Sequence, residues 1–285
     1  MCEVIFMTFW QSVLSFLDTS METPLPYGLF HICFFVLSFL AAIPLCRYPK
    51  NPSQTHVRRV VWVTALIVAL LEIYKQINYS FSYEGGIAYD YQWYAFPFQF
   101  CSTPMYIGLL AGVFKKGKIH DSLCAYLATY SVFAGLSVMV YPVSVFIPTV
   151  GINIQTMICH GSMITIGIYL FYTGHVQLKH KTILKAMPVF AAAVALAVIG
   201  NEIAYRTGLL ERETFNMFYI SPYCDPHLPV YSLVQGVVPF PFCLMIYIAG
   251  FTAAAYLVLL AAMGIAALFR LCGNRRRSAA VSISQ

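Results

Sequence analysis

Apolar stretches of about 20 residues recur along the chain, and this pattern limits the possible folds more than any other feature. Each stretch has the length that an α-helix needs to cross a lipid bilayer. Only 10% of the residues are charged, against about 25% in typical soluble domains. The sequence therefore predicts an all-α, polytopic membrane bundle of seven transmembrane helices. The predicted spans are Tyr27–Cys46, Val57–Ile77, Trp93–Val113, Ile119–Tyr141, Ile152–Tyr172, Ile183–Ile203 and Gly236–Phe269.

The spans leave little chain for other domains, and we predict one membrane domain over residues 27–269. Residues 1–26 form an N-terminal segment outside the bundle, in which residues 4–17 are apolar enough for a short helix at the membrane interface. Residues 270–285 form a basic tail. The net charge of +6 comes from short clusters between the spans, so it does not indicate nucleic-acid binding.

Basic residues fall mainly on one side of the predicted membrane. Because cytoplasmic loops carry an excess of Lys and Arg, this asymmetry sets the orientation. It predicts an N-terminus outside the cell or in the lumen, and a cytoplasmic C-terminus. Fourteen of the 17 basic residues lie on the cytoplasmic side: Arg47, Lys50, Arg58, Arg59, Lys115, Lys116, Lys118, Lys179, Lys181, Lys185, Arg270, Arg275, Arg276 and Arg277.

The third predicted span opens with more polar chemistry than a membrane anchor needs. Within 93–106 it carries a thiol, an amide, two hydroxyls and two prolines. We expect Pro104 to kink the helix and to free the carbonyl of Phe100, which is tolerated where backbone lines a cavity. The prolines therefore indicate a pocket near Cys101.

Cys101 and His160 are predicted to lie at the same depth. Each is about eight residues into a span that enters from the lumenal side, or roughly 12 Å at the helical rise of 1.5 Å per residue. A histidine within reach of a cysteine can take its proton, and the thiolate can then attack a carbonyl group. Either residue alone is more often structural, and Cys159 should face about 100° away from His160.

Further polar residues gather at the lumenal ends of the spans. Glu72 and Lys75, with Gln76 and Tyr79, share one face of the second span. Ionisable residues inside a span usually face the bundle interior, because contact with lipid is unfavourable. We expect Glu72 to pair with Lys75; the alternative is that Glu72 orients His160. Asn201 closes the sixth span.

Several other residues invite simpler interpretations. His31, near the lumenal end of the first span, is interpreted as an interfacial histidine. Asn78 begins a glycosylation sequon, but it lies so close to the membrane that we expect it to be unmodified. Nine cysteines include no C-x-x-C pair, so neither a metal site nor a disulfide framework is indicated. No metal and no soluble cofactor is expected.

Two short motifs resemble those of a known family. The first motif is Pro97-Phe98-Gln99-Phe100-Cys101, in which a polar residue lies between two apolar residues, with a proline before them and a cysteine after them. The second motif is Cys159-His160-Gly161, which ends an apolar run in the fifth span. Both are similar to signatures of the YwaF-like integral membrane family, in particular its animal branch of transmembrane protein 164-like proteins. The resemblance covers the chain from about Tyr27 to Phe269.

The resemblance implies a phospholipid acyltransferase of the endomembrane system, in the endoplasmic reticulum or Golgi. It would move a polyunsaturated acyl chain through a cysteine thioester onto lyso ether phosphatidylethanolamine. Another phospholipid would be the acyl donor, without coenzyme A. By motif, the catalytic pair falls on Cys101 and His160. Glu72, Lys75, Gln99, Ser102, Thr103 and Asn201 are the residues expected to support the site, and some of them could supply the oxyanion donor.

Other functions remain open at this point. A lipid hydrolase would use the same pair, with water as the acceptor. A receptor with seven spans is disfavoured, because no Asp-Arg-Tyr follows the third span and no Asn-Pro-x-x-Tyr closes the seventh. A transporter with Glu72 and Lys75 as gate charges would tolerate a change of Cys101 to serine far better than a thioester enzyme would.

Overall fold

The computed structural model of the chain describes residues 8–49, 51–83, 86–142, 145–209, 215–225, 228 and 231–283, with side chains up to residue 272. The fold is predominantly helical. Its α-helices are α1 (Phe9–Leu17), α2 (Leu29–Leu40), α3 (Ala42–Arg47), α4 (Gln54–Asn78), α5 (Thr103–Val113), α6 (Lys118–Ala128), α7 (Tyr130–Val140), α8 (Val150–Tyr172), α9 (Lys181–Arg206) and α10 (Phe240–Ile283). A short antiparallel hairpin, β1 (Phe81–Ser82) with β2 (Ala88–Tyr89), is an element that the sequence did not predict.

Within the described residues, six helical segments are long and apolar enough to cross a membrane. They are α2 with α3, α4, α6 with α7, α8, α9 and α10. Large apolar side chains such as Leu70, Ile73 and Leu196 are exposed on these helices. Exposed apolar faces of this extent are typical of a lipid-facing surface. The prediction of an integral membrane protein is therefore confirmed.

Helix α8 lies at the centre of the packing. It contacts α2, α3, α4, α6 and α7, while α9 packs on α6 and α10 packs on α7 and α9. We call the end at which α4, α6 and α9 begin the basic end, and the end at which α4 and α9 finish the site end. The described part of α1 lies at the site end, where Tyr74 and Asn78 of α4 donate hydrogen bonds to the Leu17 carbonyl.

The third predicted span is wrong as a continuous helix. A single 3₁₀ turn covers Trp93–Ala95, irregular backbone follows, and α5 begins at Thr103. Pro97 pushes the residue before it out of the helical region, and Phe96 is extended (φ −49°, ψ 132°). Pro104 produces no kink, because it lies in the first turn of α5, where its missing N–H is not needed.

An aromatic cluster fills the bundle behind the irregular segment. The Phe100 ring packs against Phe133, Phe190, Phe218 and Phe251, with centroid separations between 4.9 and 6.2 Å. Aromatic pairs at such distances are favourable beyond their burial alone. The cluster anchors Phe100, and with it the backbone that carries the next residue, Cys101.

Candidate active site

The packing of α5 against α4 sets the position of Cys101. The two helices approach closely at two glycines of α5: a side chain added at Gly108 would meet Ala65, and one at Gly112 would collide with Trp62. Arg58, near the start of α4, caps the C-terminal end of α5. It donates hydrogen bonds of 2.8 Å to the carbonyls of Gly112 and Val113. Since the helices run antiparallel, the residues before α5 must lie beside the last turns of α4.

Cys101 accordingly lies beside the charged end of α4. It is partly buried, two residues before the start of α5, and close enough to Glu72 and Lys75 for their charges to act on the sulfur. The Ser102 hydroxyl is within hydrogen-bonding reach of the thiol. The N-terminus of a helix also favours negative charge. A helix terminus, a hydroxyl and an ammonium group thus surround the sulfur of one cysteine.

A buried polar network joins α4 to α8. Lys75 Nζ lies 2.8 Å from Glu72 Oε1, so the predicted ion pair is confirmed. Gln76 donates a 2.8 Å hydrogen bond to Glu72 Oε1, and Gln155 donates a 3.1 Å hydrogen bond to Oε2. The Glu72 side chain is only 9% exposed. Because the carboxylate is satisfied by these three partners, Glu72 does not orient His160.

His160 is held in one tautomer. Its Nδ1 lies 2.7 Å from the carbonyl oxygen of Thr156, one turn earlier in α8, and a carbonyl can only accept. Nδ1 therefore carries the proton, and Nε2 carries the lone pair. Nε2 is buried without a hydrogen-bond partner among the described residues. Buried polar atoms are nearly always paired, so this basic nitrogen is kept available for a proton.

Lys75 is close enough to both predicted catalytic residues for its charge to act on Cys101 and on His160. Among the described residues, no hydrogen bond joins His160 Nε2 to the Cys101 sulfur. The neighbouring Cys159 is also close enough to Cys101 for their charges to interact. Cys159 accepts a 3.3 Å hydrogen bond from Gln155, which ties its sulfur to the network around Glu72. The structure thus brings both Cys159 and the Cys101–Lys75–His160 group to the site end.

Two predicted supporting residues hold the segment 216–219 in place. Gln99 donates to the Asn216 carbonyl (3.0 Å) and accepts from Phe218 N–H (2.8 Å). Asn201 in the same way donates to the carbonyl of Met217 (3.0 Å) and accepts from its N–H (2.7 Å). The clamped segment has positive φ values of 58° at Phe218 and 55° at the next residue, a conformation that costs energy outside glycine. Both amides are therefore occupied in clamping strained backbone.

The remaining predicted residues have structural partners. Thr103 is buried and donates to the Gln99 carbonyl at 2.9 Å. His31 is not interfacial: it is 2% exposed, accepts from Tyr27 N–H at 3.0 Å and lies 3.0 Å from the Met139 carbonyl. Its ring packs among aromatic side chains that bury it. Of the predicted oxyanion donors, Gln99, Thr103 and Asn201 are therefore occupied by other partners. Ser102, which follows Cys101 in the chain, is the one that is left.

An apolar groove of about 340 Å³ lies between α2, α4 and α8, and Gly161 and Ser162 of α8 line it. Three of its hydroxyl groups are used internally: Ser38 donates to the Phe34 carbonyl at 2.8 Å, Thr165 to the Ser38 carbonyl at 2.6 Å, and Ser162 to the Cys159 carbonyl at 2.8 Å. Ser162 also lines a smaller cavity that reaches Cys159 and Pro104. The groove therefore offers an apolar surface that leads from the outer face of the bundle toward the site.

Two buried polar residues near the site were not predicted. Gln155 connects Glu72 to Cys159, and its position four residues before Cys159 on one helix face was the available signal. Asn216 has a buried amide nitrogen without a partner among the described residues. No group of three or more His, Cys, Asp or Glu residues in the described part of the chain could hold a metal ion.

Comparison with known proteins agrees with this architecture. The model of the TMEM164 family matches residues 19–268, which include both Cys101 and His160. No curated protein and no solved structure shows significant similarity to the chain. The match covers most of the chain and all six helical segments that could cross a membrane, apart from the end of the last. The chain belongs to the TMEM164 family.

Proposed function

We propose that this protein is a membrane-embedded phospholipid acyltransferase in which Cys101 is the nucleophile and His160 is the general base. The observation that carries the proposal is the buried, unpartnered Nε2 of His160, whose tautomer is fixed by the Thr156 carbonyl. A base needs such a lone pair within reach of the proton that it removes. Lys75, which acts on both residues, supports their placement in one site.

The first half-reaction makes a thioester. His160 Nε2 accepts the proton of the Cys101 thiol, and the thiolate attacks the ester carbonyl of a donor phospholipid. When the tetrahedral intermediate collapses, the carbon–oxygen bond of the ester breaks. The lysophospholipid alkoxide leaves and takes the proton from the His160 imidazolium. The acyl chain is then bound to the Cys101 sulfur, and His160 is neutral again.

The second half-reaction returns the acyl chain to a lipid. His160 removes the hydroxyl proton of a lysophospholipid acceptor, and the resulting alkoxide attacks the thioester. The carbon–sulfur bond breaks, and the Cys101 thiolate recovers its proton from His160. By the family resemblance, the acyl chain is polyunsaturated and the acceptor is lyso ether phosphatidylethanolamine. The cycle balances with no coenzyme A, metal or soluble cofactor.

Negative charge forms on the sulfur and on the carbonyl oxygen during both steps. The Ser102 hydroxyl and the Lys75 ammonium are the groups that support its stabilisation, because both act on Cys101. Gln99 and Asn201 contribute by holding the adjacent backbone, since their amides already have partners. They are therefore positioning residues in this mechanism.

The lipid substrates enter from the membrane through the apolar groove between α2, α4 and α8. A groove lined mainly by apolar side chains, with most of its hydroxyl groups bonded within the protein, suits an acyl chain. Ser162 stands where the groove meets the smaller cavity at Cys159. An acyl chain lying there would extend toward Cys159 and Pro104, the residues of the smaller cavity that are nearest in sequence to His160 and Cys101.

The proposal includes a membrane topology. The segment 93–113 crosses as a seventh span, half irregular and half helical, because irregular backbone is tolerated at membrane depth when protein covers it. The positive-inside distribution places the N-terminus in the lumen and the C-terminus in the cytoplasm. The location that follows from the family resemblance is the endoplasmic reticulum or Golgi membrane.

Transfer by the purified protein tests the function. The full chain, reconstituted in phosphatidylcholine vesicles with an arachidonoyl donor and lyso ether phosphatidylethanolamine, should form the acylated ether lipid. Cys101→Ala and His160→Ala should each lower the rate by a factor of at least about 10², whereas Cys159→Ala should keep most of it. Wild-type activity in the first two variants would overturn the assignment. Release of free fatty acid without the ether lipid would identify a hydrolase instead.

A further inference from the structure

A second cavity lies at the basic end of the bundle, away from the candidate active site. Its volume is about 420 Å³, and it is formed by the starts of α4, α6 and α9 together with the loop after α8. His160 is thirteen residues before Thr173 in this wall, which is roughly 20 Å along the helix. The cavity is therefore separate from the groove and from Cys101.

Positive charge dominates the lining of this cavity. Four lysines contribute to it, Lys116, Lys179, Lys181 and Lys185, and Asp121 is the single acidic residue in the lining. Asp121 lies 3.4 Å from Lys185, so it offsets one of the four charges. The other three are exposed at the rim. Three lysines of the lining therefore have no acidic partner within it, and they give the cavity a positive potential.

Three helix N-termini add to the positive potential. Gln54 begins α4, His120 lies in the first turn of α6, and Thr182 lies in the first turn of α9; all three line the cavity. Helix N-termini favour anions and are often capped by acidic residues. The first turns of α4 and α9 contain none. In α9 that turn instead begins with Lys181, whose positive charge opposes the helix dipole.

Neutral hydrogen-bonding groups lie deeper in the cavity. His120 is 3% exposed, and one of its ring nitrogens lies 3.1 Å from Gln54 Nε2. His175 is half-buried in the loop after α8, with Nδ1 3.2 Å from the Thr173 hydroxyl. Burial, together with the nearby Lys116 ammonium, holds the pKa of His175 below its usual range. A bound polyanion could therefore pair with the lysines at the rim and form hydrogen bonds with the groups deeper in the cavity.

We propose that this cavity binds a ligand that carries two or more phosphate groups. Phosphate suits the site because it accepts hydrogen bonds at helix N-termini and pairs with lysine as a point charge. A phosphorylated headgroup of a membrane lipid and a soluble polyphosphate share this chemistry. The site lies at the end of the bundle that the basic loops place at the membrane surface, so a lipid headgroup can reach it without leaving the bilayer.

Binding by the full-length protein in phosphatidylcholine nanodiscs tests the proposal. Inositol trisphosphate and pyrophosphate serve as soluble probes, measured by thermophoresis. Nanodiscs that also contain phosphatidylinositol bisphosphate serve as the lipid arm, with retained lipid measured by native mass spectrometry. Binding in the lipid arm alone assigns the site to a headgroup. Binding of the soluble probes as well assigns it to phosphate groups from either source.

Adjacent lysines provide a matched control. Lys116→Gln with Lys181→Gln removes two charges from the cavity, whereas Lys115→Gln with Lys118→Gln removes two charges of the same end that do not line it. The first pair should weaken binding about tenfold or more, and the second pair by less than about threefold. Equal weakening by the two pairs, or no binding of any phosphate probe to the wild-type protein, would overturn the proposal. Because all four lysines are exposed, folding should be unaffected, and thermal melting checks this.

Discussion

Two residues, Glu72 and Lys75, combine a structural task with an electrostatic one. Their ion pair is mostly buried, with side-chain exposures of 9% and 17%. The pair satisfies a carboxylate that would otherwise be left uncompensated inside the bundle. The same ammonium group acts on Cys101 and on His160. The stability of the fold and the reactivity of Cys101 therefore both depend on the Lys75 side chain. Mutation can separate the two effects.

Lys75→Gln should destabilise the protein by about 3 kcal/mol, because it leaves the buried Glu72 carboxylate unpaired. Adding Glu72→Gln should restore most of that stability, since a neutral amide no longer needs the ammonium group. Acyl transfer should stay low in the double variant, because the positive charge beside Cys101 is still missing. Thermal unfolding in detergent and transfer rates measured on the same samples separate the two effects. Full recovery of activity in the double variant would show that Lys75 has only a structural role.

Residue spacing predicted contacts within one helix well. It predicted contacts between segments that are distant in sequence poorly. The i, i+3 spacing of Glu72 and Lys75 was sufficient to predict their ion pair. The prediction that Cys101 and His160 lie at the same depth assumed a helical rise of about 1.5 Å per residue in both spans. The backbone before Cys101 is not helical, so that assumption does not apply there. The antiparallel packing of α5 on α4 is what places Cys101 beside Lys75. That packing depends on Gly108 and Gly112, whose role shows only in three dimensions.

At the scale of elements, hydropathy identified the long helices and failed for the segment 93–113. An apolar irregular segment and an apolar helix have the same composition, so hydropathy cannot separate them. The signal that distinguishes them is Pro97 with Pro104, and the kink predicted at Pro104 is wrong. Their positions at an extended turn and in the first turn of α5 instead explain why the helix starts late.

The groove between α2, α4 and α8 makes a prediction about acyl-chain length. Ser162→Phe should narrow the passage between the groove and the cavity at Cys159. Transfer of long polyunsaturated chains should then fall at least about tenfold, while transfer of short chains should change little. Competition between arachidonoyl and short-chain donors in one vesicle assay measures the ratio directly.

Ser137→Phe is a matched control for that variant. Ser137 also bonds within its own helix, 2.8 Å from the Phe133 carbonyl, but it faces outward on α7. The Ser137→Phe variant should leave the ratio of long-chain to short-chain transfer unchanged. An equal shift in both variants would mean that the groove does not hold the acyl chain.

For the whole molecule, the basic loops both orient the protein and build a cavity. Sequence reasoning used the lysines only as a topology signal, and nothing in their spacing shows that Lys116 and Lys181 meet. They converge because α6 and α9 begin at the same end of the bundle. The family match, by contrast, extends over residues 19–268 and needs only the sequence.

The proposed topology has a direct test in cells. A C-terminal tag should be stained after the plasma membrane alone is permeabilised, and an N-terminal tag should be stained only after the internal membranes are also opened. The physical reason is the excess of Lys and Arg in the loops on the C-terminal side. The reverse staining pattern would place Cys101 toward the cytoplasm and would contradict the proposed orientation.

The central claim is that the acyl chain passes through Cys101, and trapping that intermediate tests it most directly. The purified protein is incubated with an arachidonoyl phospholipid and no acceptor, and its cysteine-containing peptides are analysed by mass spectrometry. The account predicts an arachidonoyl group on Cys101 that hydroxylamine removes, that is absent in His160→Ala, and that disappears when lyso ether phosphatidylethanolamine is added. An acyl group on Cys159 instead, or transfer to the acceptor with Cys101 never acylated, would contradict it.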